Sequence, residues 1–365
     1  MAQEQARTLK LAVIVCAAAA VCALIAFCWL MVTSSDVAIL ETDTLEIASD
    51  QAKGSTTITV SIAGDCTLGT DEYFSSATSF VTKYNEVSDP SYFFANVYDI
   101  FSADDLTIVN LEGTLTDSTS RADKTYAFKG DPSYAQILVE GSVEAVDLAN
   151  NHSHDYGTES YTDTIEAVEA AGIATFGYDT IAYLDVEGVS VALIGIYELA
   201  EGLGIQDDME ELIAQAQEAG AQVIIVYFHW GTELDTVPDT TQIALAHAAV
   251  DAGATLVVGT HPHVIQGYEV YNGRYIVYSL GNFCFGGNSN PTDYDCMIVQ
   301  MSFTVDGDEV ECGELVVIPC SVSSSSSINN YQPTPAEGED AERILAKIEE
   351  SNEAIAELSA QVEGN

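Results

Sequence analysis

Five of the six histidines in this chain fall in three short clusters: His152 with His154, His229 alone, and His261 with His263. Each cluster directly follows a short β-branched run, the pattern of a strand end. Carboxylates and amides stand at matching places, in Gly64-Asp65, Asn110-Leu111-Glu112, Asn150-Asn151 and Gly281-Asn282. In an open α/β sheet the carboxyl ends of the strands line one crevice, so side chains distant in sequence meet there. Imidazole, carboxylate and amide together make a mixed nitrogen and oxygen donor set, suited to Mn, Fe or Zn and to two-metal hydrolytic chemistry. A single histidine in a half-buried turn is more often a hydrogen-bonded structural residue than a ligand. The joint occurrence of such groups at strand ends, in a chain otherwise poor in histidine, tips the reading to a metal site. His247 stands apart inside a helical run and is expected to be structural; His154 stays open between the two readings.

The elements that would bring these residues together read as an α/β pattern. Strands are expected at Thr57–Ala63, Leu106–Leu111, Ala145–Ala149, Val189–Ile196, Val223–Phe228, Leu256–Gly259 and Tyr275–Ser279. Helices are expected at Thr158–Ala171, Asp208–Ala219 and Thr240–Ala252, each ending beside a glycine, namely Gly172, Gly220 and Gly253. The Ser321–Ser327 tract reads as a surface loop inside the domain. A last helical segment from about Ala341 to Val362 carries one apolar stripe, Ile344, Ile348, Ile355, Leu358 and Val362. That stripe either docks on the main domain or forms a coiled-coil contact with a partner.

Leu11 to Val32 is an uncharged apolar run, long enough at about 1.5 Å per residue to cross a hydrocarbon core of about 30 Å. Arg7 and Lys10 precede it and acidic residues follow, which orients the remainder outside the cell. A cleaved signal peptide is the rival reading; Thr33-Ser34-Ser35-Asp36 is a poor cleavage site for one. Ala19-Ala20-Val21-Cys22 is a loose likeness of a lipoprotein signal. The expected organisation is a cytoplasmic N-terminus over residues 1–10, a transmembrane anchor over 11–33, an acidic stalk over 34–55, one domain over 56–350 and a C-terminal helix end over 351–365. The net charge is −47 with only ten Lys and Arg, and none lies between Lys129 and Arg274. Nucleic acid is excluded as a partner, because phosphate-backbone affinity needs a basic surface. The cysteines outside the apolar run, Cys66, Cys284, Cys296, Cys312 and Cys320, form no CxxC pair and no recognisable disulfide framework.

Taken in order, Gly64-Asp65, Asn110-Leu111-Glu112-Gly113, Ala149-Asn150-Asn151-His152 with Asp155-Tyr156-Gly157, His229-Trp230-Gly231, Gly259-Thr260-His261-Pro262-His263 and Tyr278-Ser279-Leu280-Gly281-Asn282-Phe283 resemble the signatures of a known family. It is the CapA, or PGA_cap, family of bacterial capsule and poly-γ-glutamate synthesis, and the likeness runs over about residues 57–350. The resemblance implies an α/β chain with a calcineurin-like metallophosphoesterase fold, a β-sandwich flanked by helices. It implies Asp65, Glu112, Asn151, His229, His261 and His263 as ligands of one or two divalent ions, with His152 as an acid beside them. Asn110, Lys129, Asn150 and Asn282 are the expected substrate contacts. The chain departs from the metallophosphoesterase pattern at Asp65-Cys66-Thr67, where Asp-x-His is usual, and so lacks one ligand of a two-metal centre. Thr255 stands where the family usually has Asp before its Gly-x-His-Pro-His strand. Two functions are implied: a metal-dependent hydrolase of the cell envelope, phosphoesterase- or amidase-like, or a non-catalytic accessory protein that binds the polymer or its membrane synthase.

Overall fold

The computed structural model describes residues 54–364, and the expected membrane segment at 11–33 lies outside them. Among the described residues no helix is long and apolar enough to cross a membrane. In chain order the strands are β1 (Thr56–Thr67), β2 (Leu106–Leu111), β3 (Thr114–Leu115), β4 (Lys129–Gly130), β5 (Ala145–Asp147), β6 (Ala174–Phe176), β7 (Ala182–Val186), β8 (Val189–Tyr197), β9 (Val223–His229), β10 (Leu256–Thr260), β11 (Ile265–Tyr271), β12 (Arg274–Leu280), β13 (Asn282–Phe285), β14 (Asp295–Asp306), β15 (Glu309–Cys312), β16 (Val316–Ser321) and β17 (Thr334–Pro335). The α-helices are α1 (Phe80–Val87), α2 (Tyr98–Phe101), α3 (Ala135–Glu140), α4 (Gly157–Ala170), α5 (Gln206–Glu218), α6 (Thr240–Ala252) and α7 (Gly338–Glu363).

Two mixed sheets carry the fold. The larger runs β17-β16-β14-β1-β2-β5-β6, with β13 beside β1 and β15 beside β14; the smaller runs β11-β12-β10-β9-β8-β7. Successive side chains of a strand point to opposite faces, and here each face finds its own apolar partner. In β8, Val191 and Leu193 enter a core shared with Ile58, Val60 and Ile108 of the larger sheet, so the two sheets pack face to face. Ala192 and Ile194 point the other way, onto Met209 and Ile213 of α5 and Ile243 of α6. In β2, Ile108 joins the shared core while Val109 and Leu111 meet Phe80 of α1, Leu138 of α3 and Val168 of α4. The result is a β-sandwich with helices on both outer faces.

Local signals explain the helix ends. Asp239 caps α6 by accepting from the Thr241 and Gln242 amides, Gln242 returns the bond, and Gly253 at φ 120° ends the helix. The apolar stripe of α7 docks on the domain: Ile344 and Ile348 enter the shared core and Ile355 the outer one. Ser351 and Asn352 accept from the Gly267 and Tyr268 amides of the edge strand β11 at 2.8 and 2.7 Å. The helix therefore covers an edge that would otherwise be open to another chain, and it runs without a break through residue 350.

Candidate metal centre

The first carboxylate comes from the end of β1. Its register against β2 shifts between Ala63 and Asp65, a bulge that re-aims the side chain. Gly64 is required there, since a Cβ would lie 1.8 Å from the Gly281 carbonyl oxygen. Gly64→Ala is expected to cost at least about 1–3 kcal/mol through backbone displacement; a thermal melt equal to that of the unmutated chain would contradict this packing. Asp65 is buried, with Oδ1 accepting from Asn110 Nδ2 at 2.7 Å, and His263 Nδ1 lying 3.2 Å from Oδ2.

Glu112 follows β2 and is fixed by its amide, which donates to the Cys66 carbonyl at 2.9 Å. Its carboxylate is fully buried, and neither oxygen has a hydrogen-bond partner. Oε1 lies 3.7 Å from His263 Nε2 and 3.8 Å from His152 Nε2. The loop after β10 presents His261 and His263 at φ 92° and 58°, a left-handed backbone that side-chain-bearing residues seldom adopt. The Leu234 amide donates to the Pro262 carbonyl between them at 2.8 Å. His261 Nδ1 is buried without a partner, while His263 Nδ1 reaches Asn282 Oδ1 at 2.9 Å. Glu112, His261 and His263 each place one ligand-type atom within 4.8 Å of the others.

The other expected ligands adjoin this group. His229, at the end of β9, has its ring centroid 4.7 Å from that of His261, and its Nε2 lies 2.9 Å from Asn151 Oδ1. Burial pushes His229 and His152 down from the ordinary histidine range. His261 falls to about 4, through burial and then the charge of His263. Burial alone would lower His263 too, but the Glu112 and Asp65 carboxylates push it up to about 10. Glu112 is pushed up to about 8 by burial, against the opposing pull of His263. The lowered His152, His229 and His261 and the raised Glu112 are the shifts of groups packed away from water, and the raised His263 is that of an imidazole held between carboxylates.

Asn110, Lys129 and Asn150, the expected substrate contacts, are engaged within the protein. Asn150 Nδ2 donates to Asn110 Oδ1 and to the Leu111 carbonyl, and its Oδ1 accepts from the His152 amide. Both asparagines are buried braces, bonded to each other and to Asp65, Leu111 and His152. The Lys129 ammonium donates to the Ser118 carbonyl and lies over the Tyr156 ring. Lys124 is the cation that reaches the histidine turn. It pairs with Asp155 at 2.8 Å, and Asp155 in turn accepts from His152 Nδ1 at 2.6 Å, leaving Nε2 facing Glu112. Asn282 and His263 line a cavity of about 450 Å³ that also opens on His152 and Glu233. His247 pairs with Glu269 and stacks on Tyr271, as a structural residue would, and His154 packs on Tyr161. Thr255 braces β9, accepting from the Ile224 amide through Oγ1. Cys66 is a packed thiol whose burial pushes its pKa up.

The loop that carries Lys124 is pinned by Asp71, which accepts from the Tyr73 and Ala127 amides and pairs with Arg121 at 2.7 Å. Burial would raise the Asp71 pKa, but these donors hold it below the ordinary carboxylate value. A carboxylate depressed in the folded state stabilises above its unfolded pKa of about 4, and that contribution is lost as pH falls through the lower folded value. Hydrogen exchange in residues 121–128 should therefore quicken below about pH 4 before that of β1 or β9 does. Asp71→Asn should show the same loosening at neutral pH.

Residues 59–287 match the family described as bacterial capsule synthesis protein PGA_cap. A PGA biosynthesis protein CapA of Bacillus subtilis (strain 168) is 31% identical over 301 residues, covering 76% of this chain and 73% of that protein. The chain belongs to the PGA_cap family. A capsule biosynthesis protein CapA of Bacillus anthracis is 32% identical over 228 residues, 56% of this chain and 54% of that one. A probable polyglutamine synthesis accessory protein of Mycobacterium tuberculosis (strain ATCC 25618 / H37Rv) is 28% identical over 212 residues, 50% of this chain and 56% of that one. A solved phosphatase structure from Mycoplasma pneumoniae aligns with 73% of this chain and 94% of its own, at 15% identity and a TM-score of 0.46; so distant a likeness carries no argument. Asp65, Glu112, Asn151, His229, His263 and Asn282, all within the matched span, lie in the one region just described.

Proposed function

We propose that the chain is a membrane-anchored, extracytoplasmic PGA_cap protein of capsule or poly-γ-glutamate synthesis or export, with a metallophosphoesterase-like site that binds a divalent metal and cleaves a phosphoester or amide bond of an envelope polymer. The observation that carries the metal is the Glu112 carboxylate, buried with both oxygens unpartnered beside the unpartnered Nδ1 of His261. Buried polar atoms are almost always paired, and each orphan costs about 1–3 kcal/mol. A cation would satisfy all three. The donor set fits one: Glu112, His261 and His263 would hold it, with Asp65, Asn151 and His229 adjoining. Such an ion lowers the pKa of bound water and polarises a phosphoryl or carbonyl oxygen. The protein's own part is proton handling. His152 Nδ1 donates to Asp155, so the bare Nε2 faces the site, where it can take a proton from an attacking water and then pass that proton to a leaving group. Lys124 fixes Asp155 and donates to the Asn151 carbonyl, which holds the whole turn in place.

A second reading, a non-catalytic accessory protein, is favoured by Thr67. It stands where the metallophosphoesterase pattern has a histidine, and its buried hydroxyl has no hydrogen-bond partner. Metal analysis of the purified full-length chain, followed by a hydrolysis screen with phosphoester and γ-glutamyl amide substrates, separates the two: metal with turnover supports the hydrolase, metal without turnover the accessory protein. No metal at all would sink both forms of the site. For the anchor, the expected result is an intact mass that retains residues 1–33 and a chain that partitions with membranes. A soluble mature form beginning between Ser34 and Ala52 would overturn the anchor alone.

A further inference from the structure

The charges that line the cavity beside His152 and His263 do not balance. We infer that its one unmatched carboxylate, Glu233, takes the terminal ammonium of a γ-glutamyl chain, so that the site receives the amino end of the polymer and not its middle. This rests on the reading above, both for the polymer and for the cavity as the way to the site, and it narrows which part of the substrate is bound. At about 450 Å³ the space is in the range of pockets that enclose small ligands, roughly 300–1,000 Å³. Its charged lining is His152, His263, Glu233 and Asp293, with no Lys or Arg. Three of these are matched within the protein: His152 by Asp155 at 2.6 Å, His263 by Asp65 at 3.2 Å and Glu112 at 3.7 Å, and Asp293 by Lys347. Glu233 is exposed and, among the described residues, makes no hydrogen bond and no ion pair.

The backbone fixes where that carboxylate stands. Glu233 lies in the turn after β9, between Gly231 at φ 77° and Leu234 at φ 67°. The Gly231 amide donates to Glu198 at 3.3 Å and the Leu234 amide to the Pro262 carbonyl at 2.8 Å, which ties the turn to the loop carrying His261 and His263. The charge of Glu233 acts on both His263 and Glu112, so it stands within electrostatic reach of the candidate metal ligands. A carboxylate accepts strong charge-assisted hydrogen bonds from an ammonium. The rest of the wall suits the same group: Phe74, Tyr126, Phe128 and Phe285 line the cavity, with Tyr126 half exposed and parallel to Phe128 at 6.4 Å. Ring faces attract an ammonium and pack against methylenes without asking for hydrogen bonds. The chemistry of the polymer then selects the end. Every residue of a γ-glutamyl chain carries a carboxylate, and only the amino end carries a positive charge. The middle of such a chain would bring like charge to Glu233, in a protein whose net charge is −47.

The test uses the full-length chain in an uncharged detergent, with metal content and turnover measured on the same sample. Hexa-γ-glutamate with a free amino end, and the same hexamer with that end acetylated, are titrated by calorimetry into the parent and into Glu233→Gln. Acetylation removes the cation and leaves every carboxylate in place. It should weaken binding to the parent by about tenfold, the size of one charge-assisted hydrogen-bonded pair, and change binding to Glu233→Gln by less than about twofold. Glu233→Gln should in turn weaken binding of the free-ended hexamer by about tenfold. General repulsion gives the opposite sign, because the substitution removes a negative charge from a protein that binds a polyanion. Equal binding of the two hexamers by the parent, binding of the free-ended hexamer by Glu233→Gln at least as tight as by the parent, or no binding of either up to about 10 mM would each overturn the inference. A metal-free, inactive sample that still tells the two hexamers apart through Glu233 would remove the hydrolase reading and leave this one standing. A metal-loaded, active sample indifferent to acetylation would do the reverse.

Discussion

Glu112→Leu is expected to give a protein that melts at a higher temperature than the metal-free parent and takes up no metal. In the parent the carboxylate is fully buried with neither oxygen hydrogen-bonded, and burial has pushed its pKa to about 8. Leucine has a similar volume and no group to desolvate. Replacing the unsatisfied carboxylate by an apolar side chain of like shape removes its desolvation cost, and His263 keeps Asp65 at 3.2 Å as its partner, so about 1–3 kcal/mol should be recovered, or several degrees of Tm in a domain of this size. Bound metal stabilises the parent by linkage, in proportion to the logarithm of its concentration over Kd. With saturating Zn or Mn the order of the two melts should invert. Thermal melts with and without metal, with metal content by mass spectrometry, check this. If the leucine variant kept its metal, Glu112 would not be a ligand and the central argument for the site would fall.

The largest expected effect on rate belongs to His152. His152→Ala should slow any hydrolysis by about 10²–10⁴-fold, the usual contribution of a general acid, while leaving metal content close to that of the parent. Asp155→Asn should slow it less, because the imidazole stays but loses the carboxylate that holds Nδ1–H at 2.6 Å. His261→Ala is the contrasting change, expected to lower both metal content and metal-dependent stabilisation. Loss of metal from His152→Ala would make His152 a ligand instead. If no substitution altered a hydrolytic rate, yet each disturbed polymer export, the accessory reading would replace the hydrolase.

How much of this was legible depended on how local the signal was. β8, β9 and β10 are short apolar runs rich in Val and Ile, and α6 carries both its Asp239 cap and its Gly253 stop; such elements follow from pattern alone. The end of β1 was missed, because the strand continues to Thr67 through Gly64, a residue that normally weakens a strand and here permits a close backbone approach. β13 and β14 were missed as well, since both pair with β1, far away along the chain; the β14–β15 hairpin had a local signal in Asp306-Gly307-Asp308-Glu309 that was not used. The same contrast holds in the site. The strand-end groups announced themselves by type and position. Asp155 had a local signal, three residues after His152, that was not used for a role. Lys124 had none: its contacts with Asn151 and Asp155 span a loop whose course is fixed by Asp71 and Arg121. Lys129 was preferred because it is the last cation before a long stretch without one, which says nothing about where its ammonium points.

The left-handed backbone at His261 and His263 has a bearing on how the site would evolve. Two adjoining imidazoles are aimed by main-chain torsions of 92° and 58° that the surrounding sheet ends impose, so their direction does not depend on rotamer choice alone. Holding a non-glycine residue there costs about 1–3 kcal/mol, and glycine would relieve it. Drift that discards the ligands therefore has a downhill route, with glycine at either position tightening the fold as it empties the centre. Any lineage that keeps both histidines is retaining them against a standing thermodynamic incentive to let them go.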